Sequence, residues 1–302
     1  MNILKKKIKF KKKNQILRFV DEKNYADNFG YQWDIFRKTQ IDNFKLKVSK
    51  SRLLTQTNWR KKSFNNKTIT LEAGSGAGRF TQAYLSQFPG KLVSVDLSNA
   101  VESNRKNNID YFNKKRLVIF QADILKMPFK NNLFDNTFCF GVLQHTPQIK
   151  KTLKELIKKT KKGGSIVVDF YPYNGFWTKI STKYLLRPIA KRMSKKTLLS
   201  LIKKISPFFY NTFLVLSYLR LNFLTRFLPI CDPRTIPDVI KGRQRMEWII
   251  LDTFDMYTAF YDQPQKISNI AKFFSDNKCE VEFAGFINYH HGTSAVVRAK
   301  KL

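Results

Sequence analysis

Residues 67–80 read KTITLEAGSGAGRF. The first half is β-branched and apolar, from Thr68 to Leu71, and stops at an acid, Glu72. The second half places glycine at alternate positions, Gly74, Gly76 and Gly78, and beyond it Phe80, Tyr84 and Phe88 recur every four residues, one face of a helix. A strand passing through three alternate glycines into a helix is a turn whose backbone approaches a ligand more closely than a Cβ would allow.

The same alternation continues outward. KLVSVDLS (91–98), RLVIFQAD (116–123), DNTFCFGV (135–142) and GSIVVDFY (164–171) each carry a short β-branched or aromatic run ending at a polar residue or glycine, as buried parallel strands do. Leu153, Leu156 and Ile157 mark a helix between the last two. The pattern predicts a doubly wound, Rossmann-like α/β sheet, mostly parallel, with its ligand at the C-terminal strand ends. Near the C-terminus, a helix around 267–277 precedes strand-like EVEFAG (280–285) and SAVVRAK (294–300), so close together that an added antiparallel edge strand is expected. Four regions follow: a basic arm with cap helices (1–66), the α/β core (67–172), a helical insert or lid after the fifth strand (173–264), and the last helix and two strands (265–302).

Acids recur at the strand ends. Asp96 lies eighteen residues beyond Gly78, where a carboxylate can accept from both hydroxyls of a ribose, and Asp123 ends the next strand, where it can accept from an adenine amino group. Any one of them alone reads as a helix-capping or solvated aspartate. Glu72, Asp96 and Asp123 in register at successive strand ends point to a nucleoside site. Glu72 would repel a pyrophosphate on the helix N-terminus and suits a cationic ligand instead.

These stretches, in this order, resemble class I S-adenosylmethionine-dependent methyltransferases, in particular the ubiquinone/menaquinone-biosynthesis (type 11) group. LEAGSGAGRFT is similar to their first motif, VDLS to their ribose acid, QADILKMPFKNNLFD to their adenine loop and FGVLQHTP to the strand end beside the substrate. The resemblance implies S-adenosylmethionine as cofactor, held by Glu72, Gly74, Gly76, Gly78, Asp96, Leu97, Asp123 and Ile124, with Gly141 and Gln144 bounding its methionyl side. Phe29, Tyr31 and Trp33 of the arm are candidates to close over a sulfonium, which an aromatic face stabilises, or to pack a helix on the sheet.

His145 ends the fourth strand and is the candidate general base, since imidazole ordinarily titrates near neutrality; the alternatives are substrate contact and helix capping. His290 and His291 read as exposed, and two histidines without a third ligand make no metal site. NFGYQWDIFRKTQID (28–42) and LDTFDMYTAFYDQP (251–264) are similar to a subgroup acting on sugars or lipid-linked intermediates, which makes Asp255, Tyr257 and Tyr261 candidate acceptor contacts. The leading expectation is therefore methylation of a sugar, nucleotide-sugar or lipid-linked small molecule. A quinone-like ring, RNA, and a non-catalytic cofactor-binding role stand as alternatives. FGVLQHTP replaces the Asn/Asp-Pro-Pro-Tyr element of base-amine methylases, which disfavours DNA.

Charge bears on partners. The 302 residues hold 56 Lys+Arg against 22 Asp+Glu, a net +34. Such a balance makes anionic membrane and nucleic acid candidate partners, set against the Lys, Phe, Asn and Ile enrichment of low-GC coding sequence. The first thirteen residues hold seven lysines, read as a solvated disordered arm or a membrane-attachment aid. Lys179–Lys204 reads as amphipathic helices broken at Pro188, a lid or an interfacial pair. The apolar window Ile205–Ile230 is interrupted by Arg220, Asn222 and Arg226, leaving about 15 residues against the ~20 of a transmembrane helix. Cys139, Cys231 and Cys279 form no C-x-x-C pair, and no signal-peptide core follows the basic start, so a cytoplasmic protein is expected, with peripheral contact at the inner membrane face kept open.

Overall fold

A computed structural model describes residues 3–5, 8–21, 24–43, 46–173, 175, 178, 180–289 and 292–302. The chain forms two units. One comprises the residues up to Pro172 with Tyr261–Tyr289 and Thr293–Leu302; the other is built on Tyr173–Phe260.

The first unit is an α/β sheet. The five central strands are β3 (Ile69–Ala73), β4 (Lys91–Asp96), β5 (Leu117–Gln121), β6 (Phe134–Cys139) and β7 (Thr160–Phe170), in the spatial order β5-β4-β3-β6-β7, all parallel. The chain winds from β3 to one side and then returns to the other, so strand order reverses beside β3, where a crevice opens at the carboxyl ends. Helices α3 (Arg79–Gln87), α4 (Ala100–Asn107), α5 (Ile109–Asn113) and α6 (Ile149–Lys159) connect the strands. Leu71, Ala73, Val93 and Val95 face a core shared with Leu153, Leu156 and Ile157 of α6. Leu92 and Ile119 face the opposite core with Phe80, Tyr84 and Phe88. Both faces of the sheet are thus covered, which is why its strands are apolar throughout rather than alternating.

At the C-terminal end, α10 (Ile267–Asp276) leads to β8 (Cys279–Tyr289) and β9 (Gly292–Lys301). The antiparallel strand is the last one, β9, which pairs with β7 from Ser165↔Lys300 to Phe170↔Ala295, leaving β8 outermost.

The opposite edge departs from the expected solvated arm. Ile3 is buried, Leu4 bridges Phe129, and Lys5 Nζ donates to the Met127 carbonyl at 3.1 Å. β1 (Lys11–Lys13) and β2 (Ile16–Arg18) form a hairpin whose two turn residues, Asn14 and Gln15, both have positive φ, and β2 runs parallel to β5. Burial of Ile16 drives this edge. Exposed Lys11–Lys13 then form the rim, charged enough to discourage further strand addition. Two more helices, α1 (Asp27–Ile35) and α2 (Val48–Thr57), complete the unit before β3.

The second unit is helical: α7 (Thr182–Ala190), α8 (Lys195–Tyr218) and α9 (Gly242–Thr258). The break in the basic stretch lies at Lys191–Ser194 rather than at Pro188, which sits inside α7. Ser194 decides the position, since its hydroxyl caps α8 by accepting from the Thr197 N–H at 3.1 Å. No helix among the described residues is long and apolar enough to cross a membrane.

Candidate functional site

The glycine turn is held open by sterics. At Gly74 (φ +83°) a Cβ would lie 2.3 Å from Val142 Cγ2, and at Gly78 (φ +86°) 2.3 Å from Asn104 Oδ1, so both positions exclude side chains twice over. Gly76 packs under Trp33 of α1, whose indole Nε1 would be 3.1 Å from an added Cβ. The turn therefore lies between the end of β6 and the aromatic side of α1.

Glu72, at the end of β3, is almost fully buried. Its Oε2 accepts from Ser94 Oγ at 2.5 Å and from Thr81 Oγ1, and Asn104 Nδ2 donates to the same Thr81 oxygen. Its Oε1 has no partner. Burial pushes this carboxyl up to about 8; the Ser94 and Thr81 hydroxyls oppose the shift, and Asp96 adds to it.

Asp96, at the end of β4, accepts from the Gly76 N–H at 2.8 Å, from the Ser98 N–H at 2.8 Å and from Ser98 Oγ at 2.6 Å. Burial raises it as well, against those bonds. It ties the glycine turn to the second strand end while each oxygen keeps lone-pair capacity for another donor. Leu97 offers its carbonyl to Gln121 Nε2 and Asn24 Nδ2. Asp123 caps a short turn containing Ile124 by accepting from the Leu125 N–H at 2.8 Å.

Tyr25 escaped the sequence reading. Its ring meets Tyr261 edge-on at 5.5 Å, and burial raises its phenol, with the nearby Asp123 and Asp96 carboxylates adding to the rise. No periodicity marks it, because it sits in the turn before α1; the three strand-end acids were the only signal that a donor would be needed nearby.

At the end of β6, the Gly141 N–H donates to Asp169 of β7, which also pairs with Arg52 of α2. Gly141 (φ +69°) has nothing within 4 Å of where a Cβ would sit. Gln144 is fully buried, yet neither side-chain atom of its amide has a partner. His145 Nδ1 lies 2.9 Å from the Tyr261 carbonyl, with its ring against Phe29 (5.2 Å) and Tyr171 (5.6 Å). A carbonyl only accepts, so Nδ1 carries the proton and the neutral ring keeps its Nε2 lone pair available as a base.

The first unit thus gathers Glu72, the glycines, Asp96, Leu97, Asp123, Ile124, Gly141, Gln144, His145, Trp33, Phe29 and Tyr261 along adjoining strand ends and α1. Asp255 and Tyr257 belong to α9 of the helical unit, where Tyr257 is buried with a raised phenol and no partner for its hydroxyl. His290 and His291 lie outside the described residues. Among the described residues no group of three or more His, Cys, Asp or Glu could hold a metal ion.

Residues 71–168 match the family model of the methyltransferase domain. The chain carries a class I S-adenosylmethionine-dependent methyltransferase domain. The domain is similar to the tRNA U34 carboxymethyltransferase of a Sulfurovum species, 31% identical over 104 residues, 34% of each chain. A demethylmenaquinone methyltransferase of Bacillus cereus is 25% identical over 142 residues, 44% of this chain and 59% of that protein. The chain therefore spans between about a third and three-fifths of the length of these curated relatives. Magnesium protoporphyrin IX methyltransferase of Synechocystis, solved with S-adenosylhomocysteine, superposes with a TM-score of 0.50 over 92% of this chain and 96% of that one at 14% identity, a likeness of fold.

Proposed function

We propose that this protein transfers a methyl group from S-adenosylmethionine to a small-molecule acceptor. One observation carries the reading: Glu72 Oε1, at the end of β3, and both amide atoms of Gln144, in the short turn after the adjoining strand β6, are buried without partners beside a glycine-rich turn whose Gly74 and Gly78 admit no side chain. Buried polar atoms are rarely left unsatisfied, so this set is built for a polar ligand. The cofactor's amino and carboxylate groups match it in kind: Glu72 accepts from an ammonium, and the Gln144 amide both donates and accepts.

Asp96 and Asp123 supply acceptors for ribose hydroxyls and an adenine amine, with Leu97 and Ile124 as apolar neighbours. When bound, the cofactor supplies an electrophilic methyl on a cationic sulfonium. The aromatic faces of Trp33 and Phe29 favour that cation. His145, with Nδ1–H held by Tyr261, accepts the proton of an acceptor hydroxyl at Nε2.

For the acceptor we favour a sugar, nucleotide-sugar or lipid-linked intermediate, supported by the character of the 28–42 and 251–264 segments, with Tyr261 of the first unit as its contact. A quinone-like ring is the second reading, favoured by the likeness to demethylmenaquinone methyltransferases. The test is calorimetric titration with S-adenosylmethionine and S-adenosylhomocysteine, then methyl-transfer assays against sugar nucleotides, lipid extracts, quinones and RNA. Saturable binding that Asp96→Ala weakens in a folded protein, and turnover that His145→Ala lowers at unchanged cofactor affinity, are expected. A folded protein that binds neither compound sinks the proposal.

A further inference from the structure

Between Phe170 and Cys231 the chain has no Asp or Glu, yet it has eleven Lys and Arg. This stretch contains α7 and α8, and among the described residues most of the large exposed apolar side chains lie in the helical unit built on Tyr173–Phe260.

The two sides of α8 differ. Leu198, Leu199, Ile202 and Phe213 are buried on one side of α8, and the helix packs against α9. Leu201, Phe208 and Val215 are 43%, 67% and 57% exposed. They lie seven residues apart, and at 100° per residue that spacing keeps them on one line along the helix, away from the buried side. Leu219 extends the line, and Tyr218, Phe223 and Phe227 continue the exposed apolar surface into the following turn. Lys196, Lys203 and Lys204 are exposed in the N-terminal half: Lys204 borders the apolar line, and Lys196 and Lys203 lie about 80–100° further round in the same direction.

We infer that this outer face of α8 is an interfacial surface that docks on an anionic phospholipid membrane. An apolar line flanked by lysines immerses in the acyl boundary while the ammonium groups remain with lipid phosphates, and the absence of any carboxylate from the stretch removes the repulsion that would oppose it. Charge argues against a second copy as the occupant. A twofold contact on this face would bring two sets of like-charged lysines together with no acid in the stretch to offset them.

The inference goes beyond the catalytic reading, and none of its readouts uses methyl transfer. The full chain is sedimented with vesicles of phosphatidylglycerol and phosphatidylcholine, and with phosphatidylcholine alone, at about 0.15 M and about 0.5 M salt. Binding to the anionic vesicles is expected, and Phe208→Ser/Val215→Ser should lower it roughly tenfold or more at both salt levels through lost immersion. Lys203→Gln/Lys204→Gln should lower it chiefly at low salt. Circular dichroism and thermal unfolding verify that each variant folds. Should the serine variant unfold, Phe208→Trp replaces it, and brominated lipid should quench the added fluorescence. Serine variants that bind as well as the parent, an unquenched Trp, or a parent dimer that the serine variant converts to monomer in the ultracentrifuge each overturn the inference, as does binding that only soluble RNA competes away.

Discussion

At the scale of single residues, Glu72 has the most distinctive environment in the site. Its carboxyl is pushed up to about 8 by burial, so in the free protein it holds a proton through the neutral range. An unfolded Glu titrates near its ordinary value of 4.5. Between those values the folded state binds more protons, so this group's stabilisation is complete at acid pH and is lost as pH rises through about 8. Glu72→Gln should flatten that fall, which urea titrations at pH 6 and pH 9 would register. A cationic ligand prefers the ionised form, so binding at pH 6 should release close to one proton. Calorimetry in buffers of different ionisation enthalpy would detect the release, and Glu72→Gln should abolish it while weakening affinity by roughly 10–100-fold, the worth of a charge-assisted bond.

Elements set where those residues can act. The end of β6 is held by the end of β7: Asp169 takes both the Gly141 N–H and the Arg52 guanidinium, and it is 1% exposed. Asp169→Asn keeps an acceptor for Gly141 but strands the partly buried Arg52 cation, 18% exposed, and denaturation should show a loss toward the lower end of about 3–5 kcal/mol. Adding Arg52→Met should recover most of it, because the uncompensated charge, and not the missing contact, dominates the cost. At the other edge, Ile16 is fully buried in a strand three residues long. Ile16→Ala should cost about 2–5 kcal/mol in the same assay, whereas an unattached arm would give no change. Neither attachment was legible in sequence: β2 is too short for a period, and although β7 reads as a strand, the importance of Asp169 comes from partners 28 and 117 residues away.

For the molecule as a whole, the +34 balance is the governing quantity. Like charges at that density repel in the folded state, and salt screens them over about 10 Å at 0.1 M. The thermal midpoint should therefore rise by several degrees between about 0.05 M and about 0.5 M sodium chloride; a falling or flat midpoint would mean that ion pairs such as Arg18–Glu102 outweigh the repulsion.

What the sequence determined by itself was local or periodic: the five parallel strands from their β-branched runs, the turn from its alternate glycines, and the acids at the strand ends. Those signals lie within a few residues of one another, because a strand and the turn after it are specified by nearest neighbours. Tertiary structure alone decided what depends on distant partners. It brought Tyr25 near Asp123 and Asp96, gave His145 its tautomer through the Tyr261 carbonyl, drew the lysine-rich start into the sheet behind Ile16, and left one side of α8 exposed. Burial and pairing between residues a hundred positions apart follow from the closing of the sheet, and no local pattern encodes them.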